Sequence, residues 1–224
     1  MSVPVQSLHF ADAREAEDLA AFLARLIHYD RAAAVRLQAG GGALAVFGRP
    51  PSFEVLAIRT ARLDDAAELD VTVSAGELLE SLGGEGGAEF TVPAPVTGPP
   101  WAGVLPPRGG WRELPGLPEV TAMRGAVAAA VAEFRTRDEQ LPAERRTRAE
   151  RDGIGREIWS RTVGTTGLPL RAVHAAQSLG FLRPGVPVAL LSTGAWLRLR
   201  TPFGSIVVRT HGLGGLTVTP TRHG

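Results

Sequence analysis

Between positions 93 and 118 the chain carries eight of its 17 prolines, together with Trp101 and Trp111. Proline cannot donate to a strand ladder and locks the backbone near φ ~−65°, so no central strand or helix interior runs through this stretch. The 224 residues therefore divide into an α/β sheet unit over 1–92, a connecting arm over 93–118, and a helical segment plus meander over 119–224. An indole free in a linker forgoes a large burial energy, so the two tryptophans predict an arm packed on a domain.

The first unit switches between helical and strand periods. Residues 3–10 read as a short strand, and Asp12 followed by Glu15 reads as a capping box. Ala16, Leu19, Phe22, Leu23, Leu26 and Ile27 then mark one apolar helix face through His28. Strands follow at Ala34–Leu37, Leu44–Phe47, Glu54–Leu63 and Leu69–Val73, and Ser74 with Glu77 caps a short helix to Leu82. A brief strand at Phe90–Val92 closes the unit. A helix over one face of an antiparallel sheet is the simplest burial for this pattern.

Beyond the arm, the spacing predicts helices over 118–135, 142–161 and 167–179, with Gly153 and Gly155 able to break the second. Alternation then predicts a four-stranded meander: Val186–Ser192, Ala195–Thr201, Ser205–Thr210 and Leu216–Thr219. The fold class expected is α+β.

Charge separates the chain in a second way. From Ile158 onward there are seven arginines and no acid, whereas the first 157 residues hold 17 arginines against 23 acidic residues. The front is thus about −6 and the rear about +7, an asymmetry that points to an acidic partner, most often nucleic acid. There is no lysine, which beside so much alanine and glycine reads as the codon bias of a GC-rich genome. With no cysteine either, disulfides, thiolate chemistry, Schiff bases and a phosphate-loop lysine are all excluded. The first ten residues lack the pattern of a signal peptide, and no apolar run is long enough to cross a membrane. A cytoplasmic location is expected.

The meander offers one candidate site. A hairpin closing at Pro202–Phe203 sets Arg200 across from Ser205, Arg198 from Val207 and Trp196 from Arg209. Leu197, Leu199, Ile206 and Val208 then share the opposite, core-facing side. Arginines around a flat ring are the ingredients of a single-strand platform, with charge on phosphates and the ring under a base. The alternative is that Trp196 covers a second hydrophobic layer against a helix while the arginines pair with the acidic front. A second candidate is the third helix, where Arg171, His174 and Gln177 would point at bases if the helices and following strands formed a winged helix. The arginine-rich run at 145–156 carries enough acid to be a solvated helix face laced with i,i+4 pairs.

Catalytic and metal signatures are missing from the pattern. The five histidines include no zinc-helix spacing, no serine sits in GxSxG, and Asp64, Asp65, Glu68 and Asp70 lack a calcium-loop order. The glycine-rich HGLGG at 211–215 has neither phosphate-loop nor dinucleotide order. No cofactor and no metal site are expected. The function classes left are a non-enzymatic nucleic-acid binder, a protein-interaction or scaffold module with its halves paired within the chain or across a homodimer, and an enzyme without a recognisable motif.

Two resemblances accompany this reading. The order of an AVRL strand, a GALAV strand, a longer strand and VSAGELLESL resembles one repeat of a ring-forming DNA sliding clamp, in layout, over about a third of the chain. The remaining residues are not expected to repeat that layout. The PPRGGW at 106–111, the LP and HAAQSLGFL around the third helix and the WLRLRTPFG at 196–204 look like an uncharacterised actinobacterial family spanning roughly the last 120 residues. That likeness implies no activity.

Overall fold

The computed structural model describes residues 6–83 and 88–210. After the short strand β1 (Ser7–His9), Asp12 caps α1 (Ala13–Tyr29) by accepting from the Arg14 amide, and α1 buries the apolar stripe read from the sequence. The strands β2 (Ala34–Gly40), β3 (Ala43–Gly48), β4 (Leu56–Arg62) and β5 (Leu69–Ser74) follow, and Ser74 caps α2 (Ala75–Ser81) through the Glu77 amide. Strand β6 (Glu89–Thr91) pairs with β1 in a small two-stranded sheet.

The second half opens with β7 (Arg112–Leu114), which the sequence pattern does not predict. Three helices come next: α3 (Val120–Glu139), α4 (Arg148–Ser160) and α5 (Leu170–Ser178). Helix α4 starts at the Thr147 cap, bonded to the Glu150 amide, and not at Pro142; Gly153 and Gly155 lie inside it without breaking it. Strands β8 (Ala189–Thr193), β9 (Trp196–Thr201) and β10 (Gly204–Arg209) form the meander. Its expected fourth strand, Leu216–Thr219, lies outside the described residues, as does HGLGG.

Both halves share one antiparallel sheet of eight strands, ordered β5-β2-β3-β4-β10-β9-β8-β7. The join is β4 with β10, in the register Ile58↔Ser205, Ala57↔Ile206 and Leu56↔Val207. On either side of it a helix leads into a three-stranded meander whose last strand lies at the centre: α1 then β2, β3, β4, and α5 then β8, β9, β10. The rear half therefore does repeat the helix-and-meander layout of the front, contrary to expectation. Its repeat is hidden because α3 and α4 are inserted before it.

Two helices pack on the inner face of the large sheet, α1 against β4 and α5 against β10. Approach is close where side chains vanish: a Cβ on Gly48 would meet a Leu26 methyl at 2.7 Å, and one on Gly204, at φ +150°, would meet the Phe181 ring at 2.6 Å. On this inner face Arg59 is only 6% exposed. It donates to Asp18 Oδ2 on α1 at 2.9 Å and to the Phe203 carbonyl in the β9–β10 turn at 2.7 Å. Phe22 of α1 stacks on Phe181 at 5.6 Å. Front and rear are thus tied through the helix layer as well as the sheet.

Candidate nucleic-acid interface

Pairing places Thr72, Arg36, Phe47, Ile58, Ser205, Arg200 and Ala189 in one row across the outer face of the sheet. The adjacent row carries Leu56, Val207, Arg198, Leu191 and Glu113, and beyond it stand Arg209, Trp196 and Thr193. The hairpin register is the one read from the sequence, Arg200↔Ser205, Arg198↔Val207 and Trp196↔Arg209. Leu197, Leu199, Ile206 and Val208 are buried on the inner side.

The proline-rich arm is a strap over this outer face. It starts beside β5, where Pro95 bridges Val73 and the Val96 amide donates to the Thr72 carbonyl at 2.9 Å. It ends as β7 on β8, at the opposite edge of the sheet. Between them Trp101, Leu105 and Trp111 pack on a second hydrophobic cluster of Phe47, Leu56, Ile58 and Val207, which Trp196 joins. Arg36, clamped on Asp70 by bonds of 2.7 and 2.9 Å, also donates to the Ala102 carbonyl of the strap. The Trp111 indole N–H donates to the Pro107 carbonyl at 3.0 Å.

Trp196 is consequently half-buried in a second hydrophobic layer, and what covers that layer is the strap and not a helix. The arginines beside it are not cancelled by the acidic front. Among the described residues Arg198, Arg200 and Arg209 form no ion pair with a carboxylate, and Arg200 and Arg209 are exposed. Arg198 is half-buried, donates from Nε to Ser205 Oγ at 2.9 Å, and lies 5.7 Å from the Trp111 ring. Burial, reinforced by Arg200, lowers its affinity for its proton below the ordinary arginine value.

Other rear-half arginines are engaged. Arg161 grips Glu133 at 2.5 Å and Glu157 at 3.1 Å, and Arg171 stands 3.9 Å from Glu54. Hydrogen bonds from Arg137 and then Arg161 pull Glu157 down to about 2. Arg183 lies 3.7 Å over the Phe203 ring, and Arg222 falls outside the described residues. In the 145–156 run, Arg148–Asp152 is an i,i+4 pair, while Arg151 reaches back to Asp138 on α3 at 2.7 Å.

Arg171 of α5 lines a crevice with α4 and the 52–54 turn, and His174 packs beside the same two segments. The His174 ring stacks on Trp159 at 4.4 Å and meets Phe53 edge-on at 5.0 Å, while Gln177 Oε1 is buried. All three side chains are partly buried, unlike the exposed pair Arg200 and Arg209. Among the described residues no three His, Asp or Glu side chains converge as a metal site. The Asp64–Asp70 acids are dispersed, with Asp65 accepting from His9 and Asp70 held by Arg36 and Gln38. No helix among the described residues is long and apolar enough to cross a membrane. The residue that sequence reading missed is Arg108, exposed at the edge of the strap; its signal was the PPRGGW turn.

Comparison with known proteins yields two family matches and distant similarity to solved structures. Residues 3–103 match the family described as Domain of unknown function (DUF8010), and residues 106–213 match Domain of unknown function (DUF8185). The two matches meet inside the strap. No curated protein sequence matches the chain. Among solved structures, it is similar to the DNA polymerase sliding clamp from Pseudomonas aeruginosa at 12% identity and TM-score 0.48, covering 91% of this chain and 64% of that one. The same clamp with ligand aligns at 14% identity and TM-score 0.44, covering 92% of this chain and 64% of that one. The chain thus spans less than two thirds of the length of these clamps.

Proposed function

We propose that the chain is a non-enzymatic, cytoplasmic binding protein whose outer sheet face holds nucleic acid by its phosphates. The observation that carries this reading is the group Arg198, Arg200 and Arg209 on adjacent strands, without an ion pair among the described residues and with two of the three exposed. Trp196 supports the group from below, packed against the strap, so phosphate contact outweighs base stacking in the affinity. Three phosphate contacts give a slope of log affinity against log salt of about −3 on duplex DNA. Fluorescence anisotropy of a labelled duplex between roughly 50 and 200 mM salt measures that slope. Arg200→Gln with Arg209→Gln is expected to weaken binding by a similar factor for every sequence, because phosphates carry no sequence information. Binding indifferent to salt rejects the reading.

A scaffold role is the competing reading, supported by the grip of Arg161 on Glu133 and Glu157 and by Arg171 near Glu54, which match basic rear to acidic front. Light scattering separates the two: a dimer that dissociates at high salt and ignores DNA favours the scaffold.

A further inference from the structure

Between the two tryptophans of the strap, Pro106, Pro107 and Arg108 stand over the outer face and border a cleft of about 250 Å³. Phe47 and Ile58 floor it, Gln38 and Thr60 line it, and Arg198 reaches it from β9. This is below the ~300–1,000 Å³ of pockets that take drug-sized ligands, so the cleft suits one small group or the end of a longer molecule.

Arg198 is the unusual component. A partly desolvated cation ordinarily has a counter-ion, and arginine cannot escape the cost by losing its proton. Here Nε is committed to Ser205, the neighbouring charge that acts on it is the like charge of Arg200, and no carboxylate pairs with it among the described residues. Of the acids near this face, exposed Glu68 lies beside Gly40 at the rim of the cleft without an ion pair to Arg198, and the other two are engaged or distant. Asp70 is occupied by Arg36 and Gln38, and Glu113 lies two strands from Arg198, beyond Leu191. Arg108 stands at the same cleft, near enough to Asp70 for the two charges to act on each other, but without an ion pair among the described residues.

We propose that this cleft seats a phosphate monoester, its anion between Arg198 and Arg108 and the adjoining apolar part against Phe47 and Ile58. Two guanidinium charges match a monoester, which carries about −1.5 to −2 at neutral pH, better than the single charge of a diester. The guanidinium fork also fits phosphate oxygens in pairs. The inference rests on the reading of this face as an anion-binding surface, and it fails separately from that reading. The ligand is either a free small monophosphate or the terminal phosphate of a nucleic-acid strand.

Titration calorimetry at fixed ionic strength distinguishes these, using inorganic phosphate, thymidine monophosphate and one single-stranded oligonucleotide with either a 5′-phosphate or a 5′-hydroxyl end. The expected result is saturable monophosphate binding and an affinity about tenfold higher for the phosphorylated strand, the gain from one or two charge-assisted hydrogen bonds. Arg108→Ala, at an exposed position, and Arg198→Met, which keeps the packed stem, each abolish the monophosphate signal and the preference for the phosphorylated end. Equal affinity for the two strands with no monophosphate binding overturns the cleft and leaves the proposed function standing. Monophosphate binding without affinity for either strand keeps the cleft, assigns it a free ligand, and overturns the nucleic-acid reading.

Discussion

Two histidines respond to their surroundings in opposite senses. His9 donates from Nδ1 to Asp65 Oδ2 at 3.0 Å and faces Glu89 at 3.6 Å; the hydrogen bond to Asp65, with both charges, raises it above its ordinary 6.5. His174, stacked on Trp159, is lowered from 6.5 by burial. A raised histidine contributes stability that is complete below 6.5 and is lost as pH climbs through its folded value. A lowered one resists charging, so stability is kept above 6.5 and falls as pH drops toward its folded value. The urea midpoint of the whole protein is therefore expected to decline on both sides of about pH 6.5. His9→Gln removes the decline on the alkaline side, and His174→Phe, which preserves the ring stack, removes the one on the acid side. Parallel curves for wild type and His9→Gln above 6.5 would show that the pair with Asp65 does not form in solution.

At the scale of elements, the strap decides how the outer face behaves. Four apolar side chains on the sheet, Phe47, Leu56, Ile58 and Val207, are buried under it, each worth about 1.5–3 kcal/mol when fully removed from water. Trp101→Ala is expected to cost about 2 kcal/mol, below the ~3–5 of a fully buried tryptophan because the indole is only partly covered. Chemical denaturation measures it, and a loss within ~0.5 kcal/mol would mark the strap as an ordinary loop. That the arm packs was legible, because two indoles on a free linker would leave large apolar rings in water. The register of the hairpin was legible to the residue, with strand ends within one residue, since alternation and the Pro202–Phe203 turn fix which side chains face each other. Strand β7 was not: three residues, Arg112 to Leu114, carry no period and are a strand only because β8 is beside them. The start of α4 was mistaken although Thr147 and Glu150 spelled a capping box, because Pro142 offered an earlier helix opening. The candidate site was half legible. The sequence grouped Arg198, Arg200, Arg209 and Trp196 on one face, but what lies over that face comes from residues about 90 positions earlier.

For the molecule as a whole, the consequential contact is β4 against β10, because no local pattern encodes which strands of two meanders meet. Each of those strands would be a bare edge if its half stood alone, and a bare hydrophobic edge is a hazard that pairing removes. The two family matches, ending at 103 and beginning at 106, therefore describe halves that complete each other's sheet. Further ties cross between them, among them the strap, Arg59 to the Phe203 carbonyl, and the stack of Phe22 on Phe181. With this many contacts shared, partial unfolding of one half would strip the other of its central strand pairing and part of its core. The expected outcome is a single cooperative transition in urea. Far-UV circular dichroism follows the helices, most of which lie on the inner face, while tryptophan fluorescence in a Trp159→Phe variant reports Trp101, Trp111 and Trp196 on the outer face alone. Coincident midpoints are predicted, since the outer layer cannot persist once the sheet beneath it has divided. Fluorescence that changes well before the dichroism would mean that the strap lifts from an intact sheet, and the anion-facing surface would then be exposed by an opening of its own and not by the fold as a unit.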